Sequence, residues 1–202
     1  CQLAHDSANH ESKVSGRKLI EVKLDGVRVI TVVYPDGRVD QYSRNGKELV
    51  NFEHIKEQFA QVARAGGVSE PMVFDGEVMS SSFQDLMKQV HRKDNVAAGD
   101  AVLHLFDVLK LSDFQAGVTT STQRERSNAL KMWYDPIRDH MPNITVLGHE
   151  LVDLDSDTGR ARFRDINAQA IAQGYEGIMI KDPEAVYECK RSVAWLKQKP
   201  YI

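Results

Sequence analysis

Lys23 closes an apolar, β-branched run and is followed by Leu24-Asp25-Gly26-Val27-Arg28. An amine, a carboxylate and a guanidinium this close together can attack, orient and neutralise a phosphate. A strand end followed by Asp-Gly is also an ordinary tight turn, so the segment alone does not fix its use. A lysine amine must be neutral to attack phosphorus, whereas an unperturbed lysine titrates at about 10.4. Neighbouring cations or a bound metal lower that value, because they disfavour another positive charge. Lys197 and Lys199, alternating in Trp195-Leu196-Lys197-Gln198-Lys199-Pro200, are candidates for this role. The same charges would offset negative charge developing on a phosphate as its leaving group departs. Read without Lys23, a Lys-x-Lys pair is a solvated strand edge.

These groups need a scaffold. Lys18–Lys23 and Val27–Tyr34 read as strands, and Pro35-Asp36-Gly37 turns the second into Val39–Ser43. Phe52, Ile55, Phe59 and Val62 recur at helical spacing until Gly66-Gly67 stops them, which predicts an amphipathic helix over 52–65. Strand-like runs follow at Met72–Met79 and Ala101–Leu109, with a helix expected between them at Phe83–Val90. A further helix is expected to begin near Thr122, with Glu125 placed for a capping box, and to bury Leu130 and Trp133. Ile144–Leu147 reads as a strand, Arg164–Gln173 as a helix ended by Gly174, and Ile178–Lys181 and Ala194–Lys199 as strands. Strand and helix do not alternate regularly. The expected fold class is therefore α+β, mainly antiparallel β-sheets flanked by helices, rather than a doubly wound parallel sheet.

A chain of 202 residues can hold one substantial core, and no linker divides it, so a single domain over 1–202 is expected. A net charge of −3 excludes an overall basic nucleic-acid binder but leaves room for a local cationic groove. Lys88-Gln89-Val90-His91-Arg92-Lys93 is the densest basic run and suits either phosphate contact or a solvated helix end. Cys1 and Cys189 are the only cysteines, too few for a disulfide framework, which fits a reducing compartment with the cytoplasm as default. No apolar run approaches the length of a membrane span, so no membrane role is expected. His104 and His149 have no ligand-like spacing. The phosphate loop G-x-x-x-x-G-K-[ST], G-x-G-x-x-G, H-E-x-x-H and G-x-S-x-G are all missing from the sequence.

Beyond Lys23 the chain carries, in order, Ser43-Arg44-Asn45-Gly46, Asp75-Gly76-Glu77-Val78, Leu105-Phe106-Asp107-Val108, Glu176-Gly177-Ile178-Met179-Ile180-Lys181-Asp182 and the Trp195–Pro200 segment. With the Lys23 segment this series resembles the collinear motifs I, Ia, III, IIIa, IV and V of the covalent nucleotidyltransferases. It is most similar to ATP-dependent DNA ligases of the bacteriophage type, and it spans nearly the whole chain. The resemblance implies the nucleotidyltransferase (adenylation) fold of ligases and mRNA-capping enzymes, and a reaction in which Lys23 attacks the ATP α-phosphate, expels pyrophosphate and carries AMP covalently. It makes ATP and Mg2+ the cofactors, and nicked double-stranded DNA the partner of the full-length enzyme, with a monomer expected.

The same resemblance implies roles residue by residue. Glu77 and Glu176 hold the metal, an assignment that suits the oxygen preference of Mg2+. Phe106 stacks on adenine, and Arg28 and Arg44 contact the ribose or the nicked strand's phosphate. Asp25 orients the lysine or serves later steps. Glu21 and Val22 lie just ahead of the nucleophile, and Glu21 stands where an acceptor near the adenine amino group would favour adenine over guanine. Lys181, Lys197 and Lys199 approach the phosphates. Enzymes of this family continue after motif V into an OB-fold domain, which this sequence lacks, so the first step of ligation is expected here and sealing belongs to a longer protein. RNA ligases and mRNA-capping guanylyltransferases share the lysine nucleophile, and NAD-dependent ligases also carry Lys-Leu-Asp-Gly; a non-catalytic nucleotide-binding module is the alternative of a different class.

Overall fold

The computed structural model describes residues 1–79 and 100–199; the expected helix at Phe83–Val90 and the basic run Lys88–Lys93 lie outside them. The chain divides into two compact units, each assembled from separated segments: Cys1–Asp25, Gly117–Arg124 and Leu147–Ile202 form the first, Gly26–Ala116 and Glu125–Val146 the second. The chain therefore passes between units at 25/26, 116/117, 124/125 and 146/147, and no single linker marks the division.

The first unit is built on a five-stranded sheet with the order β1-β12-β10-β2-β9. Its strands are β1 (Leu3–Asp6), β2 (Arg17–Lys23), β9 (Glu150–Asp153), β10 (Gly177–Lys181) and β12 (Arg191–Gln198). All neighbours are antiparallel except β1 and β12. A small antiparallel pair, β7 (Val118–Thr122) with β11 (Val186–Glu188), completes the unit's strands. Successive strand residues point to opposite faces. One face, with Ile20, Val22, Ile178, Ile180 and Leu196, packs against Phe163, Ile166 and Ala170 of the helix over Asp157–Ala172. The other face carries Glu21, Lys23, Met179, Lys181, Trp195 and Lys197, brought side by side by the register Met179↔Glu21, Met179↔Lys197 and Lys181↔Trp195.

The second unit has the sheet order β4-β3-β5-β6-β8, with β3 (Val27–Val33), β4 (Val39–Tyr42), β5 (Met72–Met79), β6 (Val102–Lys110) and β8 (Ile144–Val146). Only β6 and β8 run parallel among its described pairs. Helix α1 (Glu53–Arg64) places Ile55, Phe59 and Val62 on the sheet, with Phe52 at its start, all at most 7 % exposed. A short α2 (Leu111–Ala116) follows β6, and α3 (Gln123–Tyr134) buries Leu130 and packs Trp133 against the core. The helix over Asp157–Ala172 is then α4. The fold is mixed α+β with antiparallel-dominated sheets. Among the described residues no helix is long and apolar enough to cross a membrane.

α4 begins seven residues earlier than the apolar spacing predicts. Ser156 caps it by accepting from the Gly159 N–H at 2.9 Å. Gly159 reads as a helix breaker, yet a Cβ there would sit 1.7 Å from the Asp153 carbonyl oxygen, so the chain's close approach requires glycine.

The aromatic centre of the second unit tests this packing. The Phe59 ring lies 5.2 Å from Phe74 and is stacked 6.2 Å from Trp133, and Phe59 is fully buried. Phe59→Ala is expected to cost about 3 to 5 kcal/mol. In hydrogen exchange, amides of β3, β5 and β6 should lose protection while those of α4 keep theirs; equal loss in α4 would contradict two separately packed cores.

Candidate active site

Antiparallel pairing sets Lys23, the last residue of β2, opposite Gly177, the first of β10. Glu176, just ahead of Gly177, receives the Lys23 ammonium at 2.8 Å on Oε2 and the Lys199 ammonium at 2.8 Å on Oε1. One carboxylate thus ties together the ends of β2, β10 and β12. The sequence leads one to expect Lys199 as a direct cationic neighbour of Lys23; here it lies across Glu176 from it. Partial burial pushes the Glu176 carboxyl up, but hydrogen bonds from Lys199 and Lys23 and the charges of both outweigh it and leave it below the ordinary carboxylate range. The bond to Glu176 and its charge raise Lys199, with a small contribution from exposed Asp25, so Lys199 stays a cation. Lys197, on the same face, lies 3.8 Å from Asp6 of β1.

Farther along that face, Lys181 and Glu21 form a buried ion pair, Nζ to Oε1 2.6 Å, at 2 and 4 % side-chain exposure. The Lys181 ammonium sits 4.3 Å from the centre of the Trp195 ring. Lys181 faces Leu19 in register while Lys23 faces Gly177, a separation of four residues, or about 13 Å, along β10. Its ammonium is turned to Glu21. Val22 points its side chain into the apolar cluster under α4.

In the second unit, Arg28 of β3 makes a two-pronged bond to Asp75 of β5, with Nε–Oδ1 and Nη2–Oδ2 both 2.6 Å. Its guanidinium also lies 5.2 Å from the centre of the Phe106 ring. Phe106 reaches this position through a bulge. Asp75 pairs with Asp107 and Gly76 with Leu105, so Phe106 is an extra residue in β6. Glu77 accepts the backbone N–H of Gly26 at 3.1 Å on Oε2. Gly26 is glycine because a Cβ would meet the Val78 carbonyl oxygen at 2.3 Å. Arg44 is exposed in the turn after β4. Half-buried His104 lies one strand position from Leu105, and burial lowers its imidazole.

Two residues with structural weight were not singled out from the sequence. Asp75, fully buried, orients Arg28, and Asp107, also fully buried, pairs with Arg126 of α3 at 2.8 Å. Both were inside the motif segments; an Asp in a run of apolar strand residues was the available signal, since a buried carboxylate needs a cation.

The two Glu176 bonds predict an acid-side effect. A carboxyl held below its unfolded value of about 4.3 adds stability above that pH and loses it as pH falls through the lowered folded value. Glu176→Gln should be less stable than the parent at neutral pH in urea titrations, with the gap closing below about pH 4. A gap unchanged at about pH 3 would remove the carboxylate from the account.

The ATP dependent DNA ligase domain model matches residues 2–199. A DNA ligase of Haloferax volcanii is 30% identical over 93% of this chain, and a probable DNA ligase of Streptomyces coelicolor is 28% identical over 98%. The chain spans only 31% and 38% of those two proteins. A solved structure described as Pmar-Lig_Pre is 50% identical with a TM-score of 0.96 over the whole chain, which covers 46% of it. The ATP-dependent DNA ligase of bacteriophage T7, solved in complex with ATP, superposes with a TM-score of 0.75 over 98% of this chain and 68% of its own, at 20% identity, a likeness of fold alone. The phage likeness is thus one of shape, whereas the curated relatives named here are archaeal and bacterial. With all but a few of its residues under one family model, the chain belongs to the ATP-dependent DNA ligase domain family.

Proposed function

We propose that this chain is the adenylating part of an ATP-dependent DNA ligase, with Lys23 as the nucleophile. The observation that carries the reading is Lys23 held at a strand end by Glu176, with the cation Lys199 on the same carboxylate and Lys197 on the same sheet face. Lys23 Nζ attacks the α-phosphorus of ATP in line, the bond from that phosphorus to the oxygen of the leaving pyrophosphate breaks, and a lysyl-AMP phosphoramidate remains. The amine must be neutral when it attacks, and Glu176 Oε2 is a base within hydrogen-bond reach of its proton. Lys199 and Lys197 offset the charge gathering on the phosphate.

Glu176 already gathers two ammonium groups, and Glu77 carries a second carboxylate, so each offers the hard oxygen donors that Mg2+ prefers. No cluster of three or more ligating side chains occurs among the described residues. Bound there, Mg2+ would neutralise charge on the reacting phosphate. Arg28, fixed by Asp75, presents a planar donor set for ribose or phosphate, exposed Arg44 is assigned to ribose or a strand's phosphate, and the Phe106 ring offers a face to adenine. In the whole protein, AMP then passes to the 5′-phosphate of a nick and leaves when the 3′-hydroxyl attacks. Asp25 is assigned to orienting Lys23 or to these later steps.

Incubation with ATP and Mg2+ should add the mass of one AMP, and Lys23→Ala should abolish the gain; a Lys23→Ala chain that still labels overturns the assignment. Phe106→Leu should weaken ATP use by about tenfold, within the scale of one base stacked on an aromatic ring. That loss should appear mainly in KM, and an unchanged KM would return Phe106 to a packing role.

A further inference from the structure

We propose that Arg126 is a positioning residue for the nucleotide: by holding Asp107 it leaves Asp75 to Arg28 alone, and so fixes the guanidinium and the ring that receive the ligand. This rests on the nucleotide reading above. Asp75 and Asp107 are partners in the register of β5 on β6, on one face of the sheet and both fully buried. Directly opposite residues of an antiparallel pair hold their Cβ atoms about 5 Å apart, and like charges there repel. Each carboxylate has its own guanidinium. Arg28 bonds Asp75 at 2.6 Å through both Nε and Nη2. Arg126 of α3 bonds Asp107 Oδ1 through Nε at 2.8 Å, with Nη2 3.5 Å from Oδ2. The four side chains make a row, with the two carboxylates in the middle and a cation at each end.

At 2% side-chain exposure Arg126 is closed off from a ligand, so its effect must travel through the row. Leu130, one turn further along α3, is packed in the core and anchors the helix that carries Arg126. Asp107 Oδ1 also accepts the Val108 N–H at 2.9 Å, which pins β6 beside the bulged Phe106. At the other end of the row, the Arg28 guanidinium lies 5.2 Å from the centre of the Phe106 ring. Without a cation on Asp107, Arg28 faces two carboxylates. It is then drawn between them, away from its two-pronged bond and off the ring. Two ion pairs buried carboxylate to carboxylate are a weak device for stability, because apolar residues of similar volume often do as well. They are a strong device for keeping one arginine in one place.

The test uses Arg126→Lys, which keeps a cation on Asp107, Arg126→Gln, which keeps a donor without the charge, and the neutral pair Asp107→Asn/Arg126→Gln. Calorimetric Kd for ATP and the rate of lysyl-AMP labelling at saturating ATP are measured, with folding followed by urea titration. Arg126→Gln should weaken ATP binding by about tenfold, the scale of one charge-assisted hydrogen bond, with the saturated rate little changed. Arg126→Lys and the neutral pair should each stay within about threefold of the parent. A packing role alone would mark the two single variants alike. In an Arg28→Met/Asp75→Asn background, Arg126→Gln should change Kd no further, because the row then has nothing left to position. Equal losses in Arg126→Lys and Arg126→Gln overturn the inference, as does parent-like binding by a folded Arg126→Gln or a further loss in the Arg28→Met/Asp75→Asn background. The neutral pair buries no unpaired charge and covers the case in which Arg126→Gln fails to fold: a loss of about tenfold there also overturns the inference. A parent that binds ATP but never labels overturns the nucleophile assignment and leaves the Kd ratios to decide this one.

Discussion

A single carboxylate shared by two ammonium groups governs the first unit. Glu176 sits between Lys23 and Lys199 at 2.8 Å from each; Lys23 ends β2 and Lys199 directly follows β12, the two strands on either side of β10. If three neighbouring strands must deliver their ends to one point, their register is fixed, and with it the side chains that share a face. Moving any of the three strands by one residue would exchange Glu21, Lys23, Lys181 and Lys197 for the aliphatic residues now under α4. The apolar face and the reactive face are therefore one constraint: burial of Ile20, Ile178, Ile180 and Leu196 orients the charged row.

The second unit solves a similar problem differently. Its charged residues are ordered by pairing within the sheet: Asp75 grips Arg28, and Glu77 binds the main chain at Gly26. The register of β5 on β6 shifts once, between Asp75 and Gly76, where Phe106 is the added residue. Regular strands thus hold the charges, and an irregular one delivers the aromatic ring.

Much of this was legible in the sequence because two periodicities were strong. Phe52, Ile55, Phe59 and Val62 announce α1, and the β-branched runs announce β2, β3, β5 and β6. Four short strands, β1, β7, β9 and β11, were not legible, because each lacks the compact apolar run that marked the equally short β8 and β10, and their pairing partners lie far away in sequence. The start of α4 was hidden by Gly159, whose need is tertiary. At the site, residue types and order singled out Lys23, Glu176 and Lys199, which the structure brings together, but partnership was beyond one-dimensional reading. Nothing in the order of residues tells that Lys181 turns to Glu21 and Trp195, or that Asp75 holds Arg28.

The interleaving of the two units bears on how the chain acquires its structure. Lys23 meets a partner 153 residues away, and Gln2 contacts Tyr187 across 185. The strands that meet at Lys23 are far apart in the chain, while the described part of residues 26–116 contains four strands and two helices that pair locally. Pairing across such separations is slow, because loop closure comes before its reward. The inserted unit is thus suited to condense first and to shorten the effective distance between the segments flanking it. On that order of events the nucleophile's surroundings are assembled last, so an incomplete chain would expose Lys23 without the carboxylate that holds it.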